Sequence, residues 1–125
     1  FAVTSAAIPA QRAALALIEA SDEILAAARN ELSARWEALA SAHQEFLGRP
    51  IGDPPDGAFY WWTPWPESAH GQDPIAFALK LRDELGVVTV PGLIFGDAGR
   101  PFVRLSFAAR PASIREGIRR LARWW

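Results

Sequence analysis

One long helical pattern sets the first limit on the fold. Residues 21–47 run without glycine or proline, and apolar side chains recur in them at helical spacing. Gly48 and Pro50 then end the pattern. The sequence therefore predicts a helix of about seven turns, longer than the usual helix of a globular protein. Helices of this length often link two domains, so we expect the chain to be part of a larger protein.

The other segments predict a small sheet with helices around it. The predicted order is helix 9–20, long helix 21–47, strand 58–62, helix 74–85, strand 87–90, strand 102–108 and helix 110–125. Asp73 is the expected N-cap of the third helix, and Gly86 its end. The short turn at 96–101 favours an antiparallel pair, and the strand-helix-strand order before it allows a parallel one. We expect an α/β (α+β) fold with a mixed or antiparallel sheet of three or four strands.

Composition excludes several classes of protein. The 125 residues suit one domain, and a net charge of −1 gives no case for binding nucleic acid or a membrane. No cysteine occurs, which rules out disulfides and thiolate metal sites. Apolar runs are shorter than a membrane span, and no signal pattern opens the chain, so we expect a cytoplasmic protein. No methionine occurs, even at Phe1, so we again expect a piece of a longer chain.

The predicted strand 102–108 carries a charge in an apolar run. Successive strand side chains alternate between faces, so Val103, Leu105 and Phe107 should pack on helices. Arg104 lies on the other face, beside Phe102. An arginine there suits a carboxylate, because its planar fork matches two oxygens. The pattern by itself favours the simpler interpretation, in which Arg104 is solvated on a half-exposed face.

Several motifs in a fixed order resemble the C-terminal part of class I/II aminotransferases, which use pyridoxal phosphate. They are GAFYWW at 57–62, VVTVPG at 87–92, FG at 95–96 and FVRLSFA at 102–108. The long helix before them resembles the one that links the two domains of that family. No motif is specific by itself, but the ordered set is, and it covers nearly the whole chain.

The resemblance implies a role for a few residues. Arg104 matches the arginine that binds the α-carboxylate of an amino acid or 2-oxo acid substrate. Pro91, Gly92 and Phe95 would lie near the mouth of that site. By the same resemblance, residues 1–20 would be a remnant of the large domain, 21–47 the linking helix and 56–125 the sheet and helices of the small domain.

The resemblance also implies what the chain lacks. Pyridoxal phosphate needs a lysine for its Schiff base, and that lysine belongs to the large domain of the family. The only lysine here, Lys80, lies on a predicted amphipathic helix and is expected to be solvated. We therefore expect a substrate-binding fragment that binds no cofactor alone and is inactive without its large domain. The alternative is a stand-alone interaction or dimerisation module of the same fold.

The tryptophans of the chain allow two interpretations. Five tryptophans flank two short regions and are equally compatible with a core or with a surface bared by a lost domain, which would promote homo-oligomers. They are Trp61, Trp62, Trp65, Trp124 and Trp125.

The arginines of the last helix and the two histidines give little support for a binding site. Arginines 115, 119, 120 and 123 could form a basic patch, but more often such a stripe is the polar face of a helix. His43 and His70 are isolated, so we predict no metal site.

Overall fold

The computed structural model describes residues 5–125 and divides them into two compact units, residues 5–31 and Leu32–Trp125. Phe1 and the three residues after it lie outside the described part. The first unit contains helix α1, Ile8–Glu19, and the first turns of helix α2, Ser21–Leu47. None of the α1 residues is buried. Its exposed apolar side chains, together with those of early α2, are Ile8, Leu15, Leu17, Ile18, Ile24 and Leu25.

The second unit is built on a three-stranded sheet. Strand β1 is Tyr60–Pro64, β2 is Val90–Pro91 and β3 is Phe102–Ser106, in the order β1-β3-β2. Both pairs are antiparallel. The predicted fold class is therefore confirmed. The parallel pair that the strand order allowed does not form, because β3 lies between β1 and β2.

Three helical segments accompany the sheet. Helix α3, Pro74–Lys80, begins at Asp73, whose carboxylate accepts hydrogen bonds from the backbone N–H groups of Ile75 and Ala76 at 3.0 and 2.9 Å. It continues into a wider π turn at Leu81–Leu85, and Gly86 then adopts the left-handed conformation that ends it. Helix α4, Pro111–Leu121, ends four residues before the predicted boundary. The predicted cap and end of the third helix are thus confirmed.

Two of the predicted strands begin later in the chain than expected. The strand predicted at 87–90 reaches the sheet only at Val90, because the N–H of Val87 bonds to the carbonyl of Leu81 at the end of the helix. The strand predicted at 58–62 begins at Tyr60, since Ala58 has a positive φ of 64° that an extended strand does not permit. Strand β3 and the face alternation predicted for it are close to expectation.

The core of the second unit lies on one face of the sheet. The late turns of α2 contribute Trp36 and Leu39, and Trp36 meets Phe107 edge to face at 5.4 Å between ring centroids. Helix α4 buries Ile114, Ile118 and Leu121. Helices thus cover the core face of the sheet and leave its opposite face open. Among the described residues, no helix is both long and apolar enough to cross a membrane.

Candidate functional site

Arg104 lies at the middle of the sheet, on the face that helices do not cover. The register pairs it with Trp62 of β1 on one side and Val90 of β2 on the other. Its strand neighbours Val103 and Leu105 point to the core face, where Val103 is fully buried. Arg104 itself is half-buried. The central strand therefore presents one cation at a fixed position on an otherwise uncharged surface.

Aromatic rings, and no acid, surround the guanidinium. Its carbon lies 4.1 Å from the ring centroid of Tyr60 and 4.8 Å from that of Phe95. Both distances are within the range of cation–π attraction. No carboxylate in residues 5–125 forms an ion pair with Arg104. The rings hold the side chain without neutralising its charge, so its N–H donors can serve an incoming anion.

The aromatic surface continues beyond Arg104. Trp62 stacks on Phe102 with ring centroids 5.7 Å apart, and it meets Phe95 edge to face at the same separation. Trp62 is 43% exposed and Phe95 54%. A ligand at the guanidinium would therefore lie against two accessible rings.

Two glycines fix the segment that carries Phe95. A Cβ placed on Gly92 would lie 2.8 Å from the carbonyl oxygen of Phe102 and 2.9 Å from Cη2 of Trp62, and still closer to the carbonyl oxygen of Gly99. A Cβ on Gly99 would clash with the Gly92 backbone in return. Since only glycine permits this approach, the turn from Gly92 to Phe95 lies directly on β3.

The structure thus brings together most of the residues that the sequence singled out. Phe95 contacts Arg104, while buried Pro91 pairs with Val103 and Gly92 lies beneath Trp62. Their role in binding substrate stays a prediction. Sequence reasoning missed Tyr60 and Trp62. Their alternation in AFYWW was a usable signal, because an antiparallel neighbour of β3 must place every second ring on the Arg104 face.

The described residues do not fit pyridoxal phosphate as a covalent partner. Lys80 is exposed, and its ammonium lies 4.6 Å from the ring centroid of Trp124. Trp124 packs on buried Phe77, on the core side of the sheet. The one lysine therefore belongs to the other side of the sheet from Arg104, and no chemistry of a Schiff base can be assigned to this surface.

The arginines of α4 are paired with acids. Arg115 forms an ion pair with Glu45 of α2, which lowers the pKa of that carboxyl. Arg119 and Arg120 both donate to Glu116 at 2.7 Å, and these hydrogen bonds lower the pKa of Glu116 to about 2. Three of the four arginines therefore have an acidic partner, and two of these share one carboxylate. This geometry agrees with the interpretation of a polar helix face.

The histidines do not converge. His43 is buried, and its Nδ1 donates to the carbonyl oxygen of Arg49 at 2.7 Å, while His70 is exposed. Within residues 5–125, no group of three or more His, Asp or Glu side chains is placed to hold a metal ion.

The motifs around Arg104 have counterparts in one protein family. The family described as "Aminotransferase class I and II" matches residues 2–121. The chain belongs to this family. The resemblance drawn from GAFYWW, VVTVPG and FVRLSFA is thereby confirmed.

Individual relatives extend over smaller parts of this aminotransferase chain. An aspartate aminotransferase of Sulfurisphaera tokodaii is 54% identical over 46 residues, which are 36% of the chain and 12% of that protein. An LL-diaminopimelate aminotransferase of Dehalococcoides mccartyi is 40% identical over 68 residues, or 54% of the chain and 17% of that protein.

A solved structure covers more of the aminotransferase chain. N-succinyldiaminopimelate aminotransferase from Mycobacterium tuberculosis aligns with a TM-score of 0.71 and 27% identity, over 92% of this chain and 30% of that one. The chain thus spans less than a third of the length of each of these three relatives.

Proposed function

We propose that this chain is the C-terminal, substrate-binding domain of an aminotransferase that uses pyridoxal phosphate. In the parent enzyme, Arg104 would bind the α-carboxylate of the amino acid and of the 2-oxo acid between which the amino group is exchanged. The observation that carries the proposal is the setting of Arg104. It is a half-buried guanidinium on the open face of the sheet, with aromatic rings and no carboxylate of residues 5–125 as its neighbours.

Electrostatics support a carboxylate as the ligand. A guanidinium donates two parallel hydrogen bonds to a carboxylate, and these fix the orientation of the substrate as well as its position. Tyr60 and Phe95 restrict the side chain through cation–π contacts that use no N–H donor. Less conformational entropy is therefore lost when a substrate binds than for a mobile surface arginine.

The chemistry of amino transfer would come from the rest of the parent enzyme. Pyridoxal phosphate supplies the electron sink, and its lysine would belong to the large domain. The described chain would contribute binding and orientation only. We accordingly propose that it binds no cofactor and is inactive alone.

The exposed apolar side chains of the first unit support the proposal that another domain covers it. Helix α1 and early α2 expose apolar side chains at Ile8, Leu15, Ile18 and Leu25. Contiguous exposed apolar surface is typical of an interface. We propose that the large domain of the parent enzyme covers these helices, and that the parent is a cytoplasmic homo-oligomer.

The test is substrate kinetics of the parent enzyme. Arg104→Gln removes two charge-assisted hydrogen bonds worth about 1.5–3 kcal/mol each, so kcat/KM for amino acids should fall at least ~100-fold. Arg110→Gln is the matched control, because Arg110 is exposed and follows the same strand. If the Arg104 variant folds and keeps its KM and kcat, Arg104 does not bind the substrate.

A further inference from the structure

A second cleft lies in the same unit on the core side of the sheet, away from Arg104. It measures about 620 Å³, which is within the range of small-molecule sites. Its lining includes four of the tryptophans, one cation and one anion: Trp61, Trp65, Trp124, Trp125, Arg49 and Glu67. We call it the tryptophan cleft. The tryptophans, which the sequence left open between core and surface, therefore divide between the two. Trp61 and Trp65 are buried, Trp124 and Trp125 are half-buried walls, and Trp62 belongs to the Arg104 face.

The walls of the tryptophan cleft are held in place by one another. Trp125 lies 6.4 Å from Trp61 and 6.5 Å from Trp65 between ring centroids. The hydroxyl of Ser68 donates to the carbonyl oxygen of Trp124 at 2.5 Å. Rings arranged in this way offer several aromatic surfaces to a planar apolar group.

One donor at the tryptophan cleft has no protein partner. Trp65 is 91% buried, since its relative exposure is 9%, and its indole Nε1 has no hydrogen-bond partner. An indole N–H can only donate, and buried donors in native proteins are almost always paired. This nitrogen exposes less than 1 Å² of surface, so a ligand in the cleft would contact the indole ring and not its N–H.

The polar lining carries two opposite charges. Arg49 and Glu67 are both exposed, and neither forms an ion pair with any residue of 5–125. His43 donates to the Arg49 carbonyl at 2.7 Å and so fixes the backbone of that residue. An unpaired guanidinium and an unpaired carboxylate in one cleft match a zwitterion.

We propose that the tryptophan cleft binds a free amino acid with an aromatic side chain. Its carboxylate would bind Arg49, its ammonium group would bind Glu67, and its ring would pack against the half-buried indoles of Trp124 and Trp125. This site is separate from Arg104 and does not depend on the function proposed above.

The test uses L-phenylalanine and the 125-residue chain carrying Arg104→Gln, which removes the other carboxylate site. Calorimetry should show saturable binding of one molecule. Adding Arg49→Gln should weaken binding at least tenfold, and Glu67→Gln should also weaken it. Arg110→Gln, on an exposed arginine outside the cleft, should leave it unchanged. Trp65→Phe keeps an aromatic side chain but replaces the indole, with its N–H, by a smaller ring. Loss of one indole NMR signal in that variant identifies Trp65, and L-phenylalanine should shift this signal in the tryptophan-containing chain.

Ligands with one charge missing test the zwitterion directly. Both 3-phenylpropionate and phenethylamine should bind at least tenfold more weakly than L-phenylalanine. The proposal is wrong if the folded Arg104→Gln chain shows no saturable binding. It is also wrong if adding Arg49→Gln leaves binding as tight as in the Arg104→Gln chain, or if 3-phenylpropionate binds as tightly as the amino acid. Failure of the Arg104 proposal would instead appear in the kinetics of the parent enzyme.

Discussion

Replacing Gly92 by alanine tests how closely the turn from Gly92 to Phe95 packs on β3, beside the Arg104 face of the sheet. The new Cβ would lie 2.8 Å from the Phe102 carbonyl oxygen, 2.9 Å from Cη2 of Trp62 and closer still to the Gly99 carbonyl oxygen. Two of these atoms are backbone, so relief requires movement of β3 or of the turn at Gly99. Overpacking of this kind costs about 1–3 kcal/mol, and rigid neighbours favour the upper end.

Urea unfolding followed by tryptophan fluorescence is the suitable assay, because all six tryptophans lie in the second unit. With a urea m-value of about 2 kcal/mol/M, a loss of ~3 kcal/mol lowers the midpoint by ~1.5 M. Gly117→Ala is the matched control, since beyond its chain neighbours and the backbone of α4 itself no atom lies within 4 Å of its Cβ position. That change should raise stability by up to about 1 kcal/mol. An unchanged midpoint for Gly92→Ala would refute the close packing of the turn on β3.

Three other predictions concern single groups. Asp73→Ala removes the acceptor for two backbone N–H groups of α3 and should cost about 1 kcal/mol in the same urea assay, whereas an unaffected midpoint would deny the cap a role. The pKa of Glu116 is lowered from 4.5 to about 2, so its contribution to stability is present above pH 4.5 and is lost as the pH falls towards 2. Glu116→Gln should therefore flatten the pH dependence of the urea midpoint across that window, and an identical pH dependence in both proteins would contradict the pairing with Arg119 and Arg120. Borohydride reduction of the 125-residue chain with pyridoxal phosphate should give no stoichiometric adduct at Lys80 by peptide mass spectrometry, because that lysine lies beside Trp124 and away from Arg104. A clean adduct that responds to an amino acid would make the chain a complete enzyme.

The sequence predicted the regular parts of the fold well, because local signals decide them. Asp73 and Gly86 act within a few residues of themselves, and both were found as predicted. Strand β2 was harder. Its β-branched residues favour an extended strand, but whether they join the sheet depends on the N–H of Val87, which the end of the preceding helix has already engaged.

Only the part of the candidate site that lies on β3 could be predicted from the sequence. Alternation along β3 placed Arg104 opposite the core, and the structure agrees. The contacts of its guanidinium come from β1 and from the turn after β2, segments that are about 44 and 9 residues away along the chain. No local pattern specifies such a meeting. The tryptophan cleft was hidden for the same reason, because its walls come from residues 43 to 125.

The choice of partners around Arg104 has a physical consequence for binding. An ion pair with an internal carboxylate would orient the guanidinium equally well, but a substrate would then have to displace that acid and desolvate it. Tyr60 and Phe95 attract the cation through their ring faces, and they make no hydrogen bond to it that must be broken. Among residues 5–125, the guanidinium therefore has ring contacts but no ion pair. If Arg104 binds a carboxylate as proposed, the ligand would displace no internal acid, and the side chain would already be restricted by its contacts with Tyr60 and Phe95.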